Sequence, residues 1–533
     1  MRLPGLDPRR GLQFSVVAAV SAFVIAAAAR RHPWNSDDVA LQVAMRTWSP
    51  GNGTLYLPEG TWLLRVPLYA VTEWMFGSTT TTLAVQTVVL NVLAAVTILW
   101  FIRLTISLAT ANRPEGHPAW ENDWIAVLVT CWVITVSPVV VDIMLRPGTR
   151  NLENGLVCIG LVLAANRLSP LHPDAKPRSR WSHVRPFLVP AAWFGVLAIH
   201  DPIVMYCLVG PAAVLAGMVL VFRRSKIAVN VMIIAIGGIA IWRIGLIALR
   251  AIGVETVSLN SRVIEAAEFP STLATTADSM ARIFSVPVFG AAPNELRLAV
   301  VGPQLAVLAL TAITVWRLTR TFWRNPVAAG AALWVISLIG AFMLSSHGLS
   351  DVNIRYLVFT VVPIAAIGAA GIGAAHARPR RLIVAMMTIV LAVHVLDAAR
   401  SFGTDVSPNT DAARVVEALA AADVQRGYGD FWETLGPSYF DRSLTLVPVT
   451  CINGTRTAPR HWFVHDGISR PDHGAARTAF IINDRPGLMP CGREQLMQQF
   501  GEPAETVQVT SLITLLIYEG DIGSDMDSAP PPG

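Results

Sequence analysis

The sequence predicts a polytopic α-helical membrane protein of about eleven spans with a small C-terminal extracytoplasmic α/β domain. Three observations carry that expectation. Of 533 residues, 53% are hydrophobic and only 14% charged, and the mean hydropathy is +0.51, far from the balance of a soluble domain. Apolar segments long enough to cross a bilayer recur from Leu12 to about Leu396. Past Arg400 the apolar runs shorten and alternate with turn residues.

The first run, Leu12 to Ala29, follows Arg2, Arg9 and Arg10. A cleaved signal peptide has this form too, but the many later runs favour a retained first helix. Further spans are expected near 79–101, 124–144, 152–166, 187–200, 203–222, 227–248, 298–316, 326–344, 354–375 and 382–397. The run ending at His200-Asp201-Pro202 is short for a crossing, and Thr61 to Gly77 reads either as an interfacial helix or as a span of its own. With the amino terminus inside, four successive cytoplasmic loops are basic: Arg167 to Arg185, Arg223 to Lys226, Arg317 to Arg324 and Arg378 to Arg381. That is the positive-inside pattern. An odd number of crossings then places the segment after 397 outside, in a bacterial plasma membrane.

The net charge of +5 and pI near 9.1 do not mark a nucleic-acid binder, because the arginines sit in short loops between apolar runs. Lys176 and Lys226 are the only lysines. A phosphate or carboxylate clamp must therefore use Arg or His, which offer planar or switchable donors instead of an ammonium point charge.

The chain divides into a transmembrane module at 1–397, an extracytoplasmic soluble α/β domain at 398–520 and a polar, Pro-rich tail at 521–533 expected to be disordered. In the α/β domain, Asp411 to Val424 has helical periodicity with Gly427 as its stop, and Glu494 to Phe500 forms a second helix. Leu444 to Val449, His461 to Val464, Ala479 to Ile482 and Leu512 to Tyr518 read as short strands. Cys131, Cys158 and Cys207 lie in apolar spans, whereas Cys451 and Cys491 stand in the outer domain, as a disulfide or as two small buried hydrophobes.

Chemistry-capable residues gather on the outer loops. Loop one holds Asn35-Ser36-Asp37-Asp38, Glu59, Arg65 and Glu73; later outer turns hold Arg146, Arg150 and Glu153, then His200-Asp201-Pro202, then His347, Asp351 and Arg355. Asp37 and Asp38 follow the first span at the water–lipid boundary. A carboxylate there can take a proton from an attacking hydroxyl, or the pair can share a divalent cation; an adjacent Asp-Asp also serves as an ordinary helix cap. A departing lipid phosphate needs guanidinium partners, for which Arg146, Arg150 and Arg355 are candidates, although each can also be an interfacial anchor. Spacing of four places His347, Asp351 and Arg355 on one α-helical face. His200-Asp201 is either a helix-breaking turn or an intramembrane functional pair. Trp34, Trp48, Tyr56, Trp62, Tyr69 and Trp74 can stack on sugars or form an interfacial belt, and Tyr428, Trp432 and Trp462 can stack on an acceptor glycan or form core. Glu265, Glu268 and Asp278 in the long fourth outer loop read as solvated charges or as substrate contacts.

Taken together, these features resemble the GT-C superfamily of integral-membrane glycosyltransferases, especially bacterial relatives of protein mannosyltransferases and aminoarabinose transferases that take sugar from a polyprenyl-phosphate carrier. The resemblance rests on Asp37-Asp38 in the first outer loop, on Arg150-Asn151-Leu152-Glu153, on His200-Asp201-Pro202, on Asn353-Ile354-Arg355-Tyr356-Leu357, and on Gly427-Tyr428-Gly429-Asp430-Phe431-Trp432 past the membrane. It implies an inverting transfer with Asp38 or Asp37 as base, Glu59 as an acceptor-side ligand and Arg residues receiving the carrier phosphate. The acids are adjacent, not a spaced Asp-x-Asp, so it implies no particular metal. The implied partners are the lipid-linked donor, a glycan, lipid or protein acceptor, and membrane lipid. A transporter or flippase is the competing reading, because helix-end charges also line substrate paths; against it stand the lack of an inverted repeat and the scarcity of mid-span acids. A non-catalytic membrane scaffold is the third.

Overall fold

The computed structural model describes residues 8–29, 34, 36–51, 53–58, 65–110, 119–137, 140–141, 151–168, 180–223, 225–257, 262–284, 295–321, 326–375, 377–401, 410–452, 456–460, 463–465, 468, 474–484 and 491–526. In chain order the membrane module contains α1 (Pro8–Ala29), α2 (Ser36–Thr47), β1 (Leu55–Pro58), α3 (Val66–Phe76), α4 (Thr80–Thr110), α5 (Ala119–Thr135), α6 (Asn151–Leu168) and α7 (Arg180–His200). A π-helical turn, Met205–Val209, runs into α8 (Gly210–Arg223), followed by α9 (Lys226–Ala251), β2 (Val254–Val257), α10 (Phe269–Ile283), α11 (Glu295–Thr321) and α12 (Pro326–Met343). Two 3-10 stretches, Ser346–Leu349 and Asp351–Thr360, lead into α13 (Val361–Ala374) and α14 (Ala377–Ser401).

Among the described residues six helices are long and apolar enough to cross a membrane: Arg9–Ala29, Thr80–Thr110, Met205–Arg223, Lys226–Ala251, Asn353–Ala374 and Arg378–Leu396. Four shorter apolar helices accompany them, Asn154–Leu168, Val184–His200, Gln304–Thr314 and Val327–Met343. The chain is a multi-pass membrane protein. Where described, the expected spans fall on helices, and α5 stops early, at Thr135, where Ser137 Oγ accepts from Val140 N at 3.2 Å. The 11 residues of α3 give about 16 Å of helix, half of what the hydrocarbon core demands. Of the two readings of Thr61 to Gly77, a full crossing is therefore the one that fails.

With no hydrophobic drive between helices in lipid, close approach depends on small residues. A Cβ at Gly195 of α7 would lie 2.7 Å from Ile241 Cβ of α9, and one at Gly245 would lie 2.0 Å from Ile199 Cδ1. The small-residue helix α13 is buried along most of its length and packs against α4, α5, α11 and α12. Thr311 of α11 donates to Ile364 O at 3.1 Å.

The C-terminal domain comprises α15 (Thr410–Ala421), β3 (Arg426–Gly429), α16 (Phe431–Phe440), β4 (Thr445–Ile452), β5 (Arg456–Pro459), β6 (Val464–His465), β7 (Arg477–Asn483), α17 (Arg493–Phe500), β8 (Glu505–Gln508) and β9 (Ile513–Glu519). Its sheet has the order β5-β4-β3-β7-β9-β8, with β3 parallel to both β4 and β7. The expected helix 411–424 is α15, but Gly427 is not its stop. The helix ends at Ala421, Asp423 takes the left-handed turn at φ 54°, and Gly427 lies within central strand β3, where a Cβ would sit 2.9 Å from Ala479 O. Cys451 of β4 and Cys491, just before α17, form a disulfide with Cα atoms 5.5 Å apart. The described part of the expected tail, 521–526, is folded. Residues Ile522–Asp525 form a 3-10 turn, Ile522 is buried, and Asp521 accepts from Tyr428 Oη at 2.6 Å.

Two features join this domain to the membrane module. Strand β6 pairs antiparallel with β1, which pairs parallel with β2, so a three-stranded sheet gathers three distant segments. In addition, α16 turns Phe431, Leu435 and Tyr439, spaced by four, into the same apolar cluster as the membrane helices.

Candidate functional site

Helix α2 carries the two acids of loop one. Its first residue, Ser36, is buried and donates to Trp432 O of α16 at 2.9 Å. Asp38 is 2% exposed, while Val39, Ala40 and Val43 enter the core of the membrane helices. A carboxylate in such a place is shielded from bulk water, which strengthens its interaction with any proton donor. Asp37 is on α2, but its side chain lies outside the described residues, as do Glu59, Arg146 and Arg150 entirely.

Glu153 lies in the first turn of α6 with its side chain likewise outside the described set; its neighbour Asn154 is buried. His200 and Asp201 are both fully enclosed. Asp201 does cap a turn before Pro202, as the helix-breaking reading expects: its Oδ1 accepts from Ile203 N at 3.1 Å, at the entrance to the π-helical turn. Such π segments recur at functional sites.

The α-helical alignment expected of His347, Asp351 and Arg355 does not form. Ser350 is extended, with φ −132° and ψ 132°, and separates two 3-10 stretches. In a 3-10 helix residues three apart share a face, so a spacing of four turns a side chain away. Tyr356 takes over the gathering role. Its ring centroid is 4.9 Å from that of His347, and the Arg355 guanidinium carbon lies 5.4 Å from it. The Asp351 side chain is outside the described residues.

Residues to which the sequence assigned no role are also built into the region. Arg65, at the start of α3, is 1% exposed. Glu73 of α3 accepts from Arg46 of α2, from Arg442 Nη2 at 3.0 Å and from Ser78 Oγ at 3.0 Å. Asp430, which caps α16 by accepting from Trp432 N at 3.2 Å, has its carboxyl pushed up by desolvation, opposed by that bond and by Arg460. Burial likewise drives the Tyr439 phenol up, with Glu73 adding to the shift. Loop composition gives no hint of these; Arg46 and Glu73 come together only because α2 and α3 fold back on one another.

The other expectations divide plainly. Trp34 and Tyr428 are buried core residues and Trp74 is 85% exposed, while Trp462 is outside the described residues. In the fourth loop, Glu268 pairs with Arg262 through both oxygens, which holds its carboxyl down at about 2, and Asp278 pairs with Arg282 at 2.7 Å. These are solvated structural charges. Among the described residues no group of three or more His, Cys, Asp or Glu side chains could hold a metal ion.

The fold defines the class: this is a multi-pass α-helical membrane protein whose chain ends in an α/β sheet region. No family model matches the sequence and no curated protein matches it. Among solved structures, it is similar to ArnT from Cupriavidus metallidurans bound to undecaprenyl phosphate, with a TM-score of 0.54 and 11% identity over 95% of this chain and 97% of that one. At that identity the likeness establishes the architecture, including the C-terminal domain within it.

Proposed function

We propose that this protein is an extracytoplasmic glycosyltransferase that moves a sugar, a hexose or pentose, from a polyprenyl-phosphate donor to a cell-envelope glycan, glycolipid or protein. The observation that carries the reading is Asp38, an acid only 2% exposed in the first loop of a chain that follows a structure bound to undecaprenyl phosphate along almost its whole length. Asp38 is the base: it takes the proton of the acceptor hydroxyl as that oxygen attacks the anomeric carbon. The bond from that carbon to the carrier phosphate breaks with inversion, and the phosphate leaves with the bonding electrons. Asp37 is its partner, Glu59 an acceptor-side ligand, and Arg355, Arg146 and Arg150 receive the departing phosphate. Glu153, His200, Asp201, His347 and Asp351 complete the substrate-facing set.

The same proposal includes eleven crossings with the amino terminus inside and the domain from 398 onward outside, in a bacterial plasma membrane.

The test is a radiolabelled transfer assay with purified protein and a panel of polyprenyl-phosphate sugars. Asp38→Asn should lower kcat by about 10²- to 10⁴-fold while thermal unfolding stays as in the unaltered protein. Full activity in both Asp38→Asn and Asp37→Asn removes the proposed base.

A further inference from the structure

Helix α2 has 12 residues, about the length at which an isolated helix is marginal in water. Its position therefore depends on what it docks against. That partner is α16 of the C-terminal domain. At the amino-terminal ends Ser36 Oγ meets Trp432 O at 2.9 Å. At the carboxyl-terminal ends Arg46 Nη1 donates to Ser438 O at 3.4 Å and its guanidinium carbon lies 5.6 Å from the Tyr439 ring centroid. The two helices thus run side by side in the same direction, joined at both ends.

A carboxylate locks the second junction. Glu73, with its side chain 15% exposed, accepts from Arg46 on one side and from Arg442 of the C-terminal domain on the other, at 3.0 Å. Ser78 Oγ accepts from the same two guanidiniums, at 2.9 Å from Arg46 Nη2 and 3.2 Å from Arg442 Nε. Two arginines from parts of the chain nearly 400 residues apart therefore share one acceptor pair. Charge-assisted bonds of this kind fix direction as well as distance.

We propose that Glu73 is a positioning residue: through Arg46 and Arg442 it makes the C-terminal domain the element that holds the helix bearing Asp37 and Asp38 in its working place. The inference rests on the glycosyl-transfer reading for its kinetic consequence, and on geometry alone for its structural one.

The experiment uses the full chain in nanodiscs and compares Glu73→Gln, Arg442→Ala and Arg442→Lys with the unaltered protein. Hydrogen exchange is followed at residues 36–47 and transfer kinetics are measured alongside. Glu73→Gln and Arg442→Ala are expected to raise exchange in α2 while thermal unfolding is preserved. They should lower kcat about 10- to 100-fold, as misplacing a reacting group does, with the donor KM within about twofold and Arg442→Lys recovering part of the rate. Unchanged α2 protection overturns the proposal, and so does loss of protection with kcat intact. A rise in KM alone also overturns it. If the unaltered protein transfers none of the sugars, the glycosyltransferase reading fails by itself, and α2 exchange still decides the clamp.

Discussion

Helix α2 and the 3-10 region at 346–360 both bear candidate residues, yet they are held by different kinds of bond. Side chains hold α2: Ser36, Arg46 and Glu73 reach across the fold to α16 and Arg442. Main chain holds the other. Ile264 N donates to Leu344 O at 3.1 Å and Ser346 N donates to Arg262 O at 2.9 Å, around an antiparallel bridge of Val263 with Ser345. A side-chain clamp is released by one substitution, whereas a main-chain tether resists all but a change in backbone space. The region that carries the proposed base is thus the one that single substitutions should disturb.

The largest contrast is between the acid and the cation. Against the 10²- to 10⁴-fold loss expected for Asp38→Asn, Arg355→Ala removes a charge-assisted bond worth about 1.5–3 kcal/mol. Its transfer efficiency should fall roughly 10- to 150-fold, shared between a lower kcat and a weaker donor KM because the phosphate gathers charge as it leaves, and Arg355→Lys should recover part of it. An Arg355→Ala enzyme with unchanged kcat and KM would remove Arg355 from the phosphate's path and leave α2 as the region that carries the chemistry.

A smaller effect tests the main-chain tether. Gly348 lies in the first 3-10 stretch against α12 and α10, and a Cβ there would meet Phe342 O at 2.7 Å and Thr272 Cβ at 3.1 Å. The nearest atom is backbone and cannot swing aside, so Gly348→Ala should cost about 1–3 kcal/mol, seen as a lower thermal midpoint. Gly217→Ala in α8, where a Cβ meets no atom within 4 Å, should be neutral or slightly stabilising. Equal midpoints for the two variants would mean that the 346–360 stretch has room to move.

Much of this architecture was legible in the chain because hydropathy runs and strand alternation are local signals. The membrane helices, the strands at 445–452, 477–483 and 513–519 and the helix at 493–500 all follow from spacing and composition. Strand β3 was not legible. Arg426-Gly427-Tyr428-Gly429 has the residues a strand disfavours, and a Cβ would be crowded at both glycines, by Ala479 O and Leu446 at Gly427 and by Ile481 O at Gly429. The 3-10 geometry at 351–360 was also hidden, since a spacing of four looks α-helical until the backbone is seen. Of the candidate site, Asp38 could be singled out from its place after the first span, whereas Glu73 could be named only as one of the charges of loop one, without its role. Its partners Arg46 and Arg442 flank it from 27 and 369 positions away, and no local pattern encodes that meeting.

The subtlest test concerns Asp430, the cap of the helix on which α2 rests. Desolvation raises its carboxyl above the ordinary value of 3.8, so the folded protein binds its proton more tightly than the unfolded chain does. The sign follows from linkage. Below about pH 3.8 the group is protonated in both states and costs nothing; as pH rises through its raised folded value, stability falls to a lower plateau that persists at neutrality. Asp430→Asn keeps a capping side chain and removes the ionisation. The C-terminal domain should therefore be more stable than the unaltered one at pH 7, with the advantage fading on acidification through the carboxylate range, as followed by hydrogen exchange in α16. If α2 leans on α16 as the contacts indicate, its amides should gain protection in step, while those at 346–360 should not change. A parallel gain in both regions would show that the main-chain tether also depends on the C-terminal domain, and the comparison would have to be redrawn.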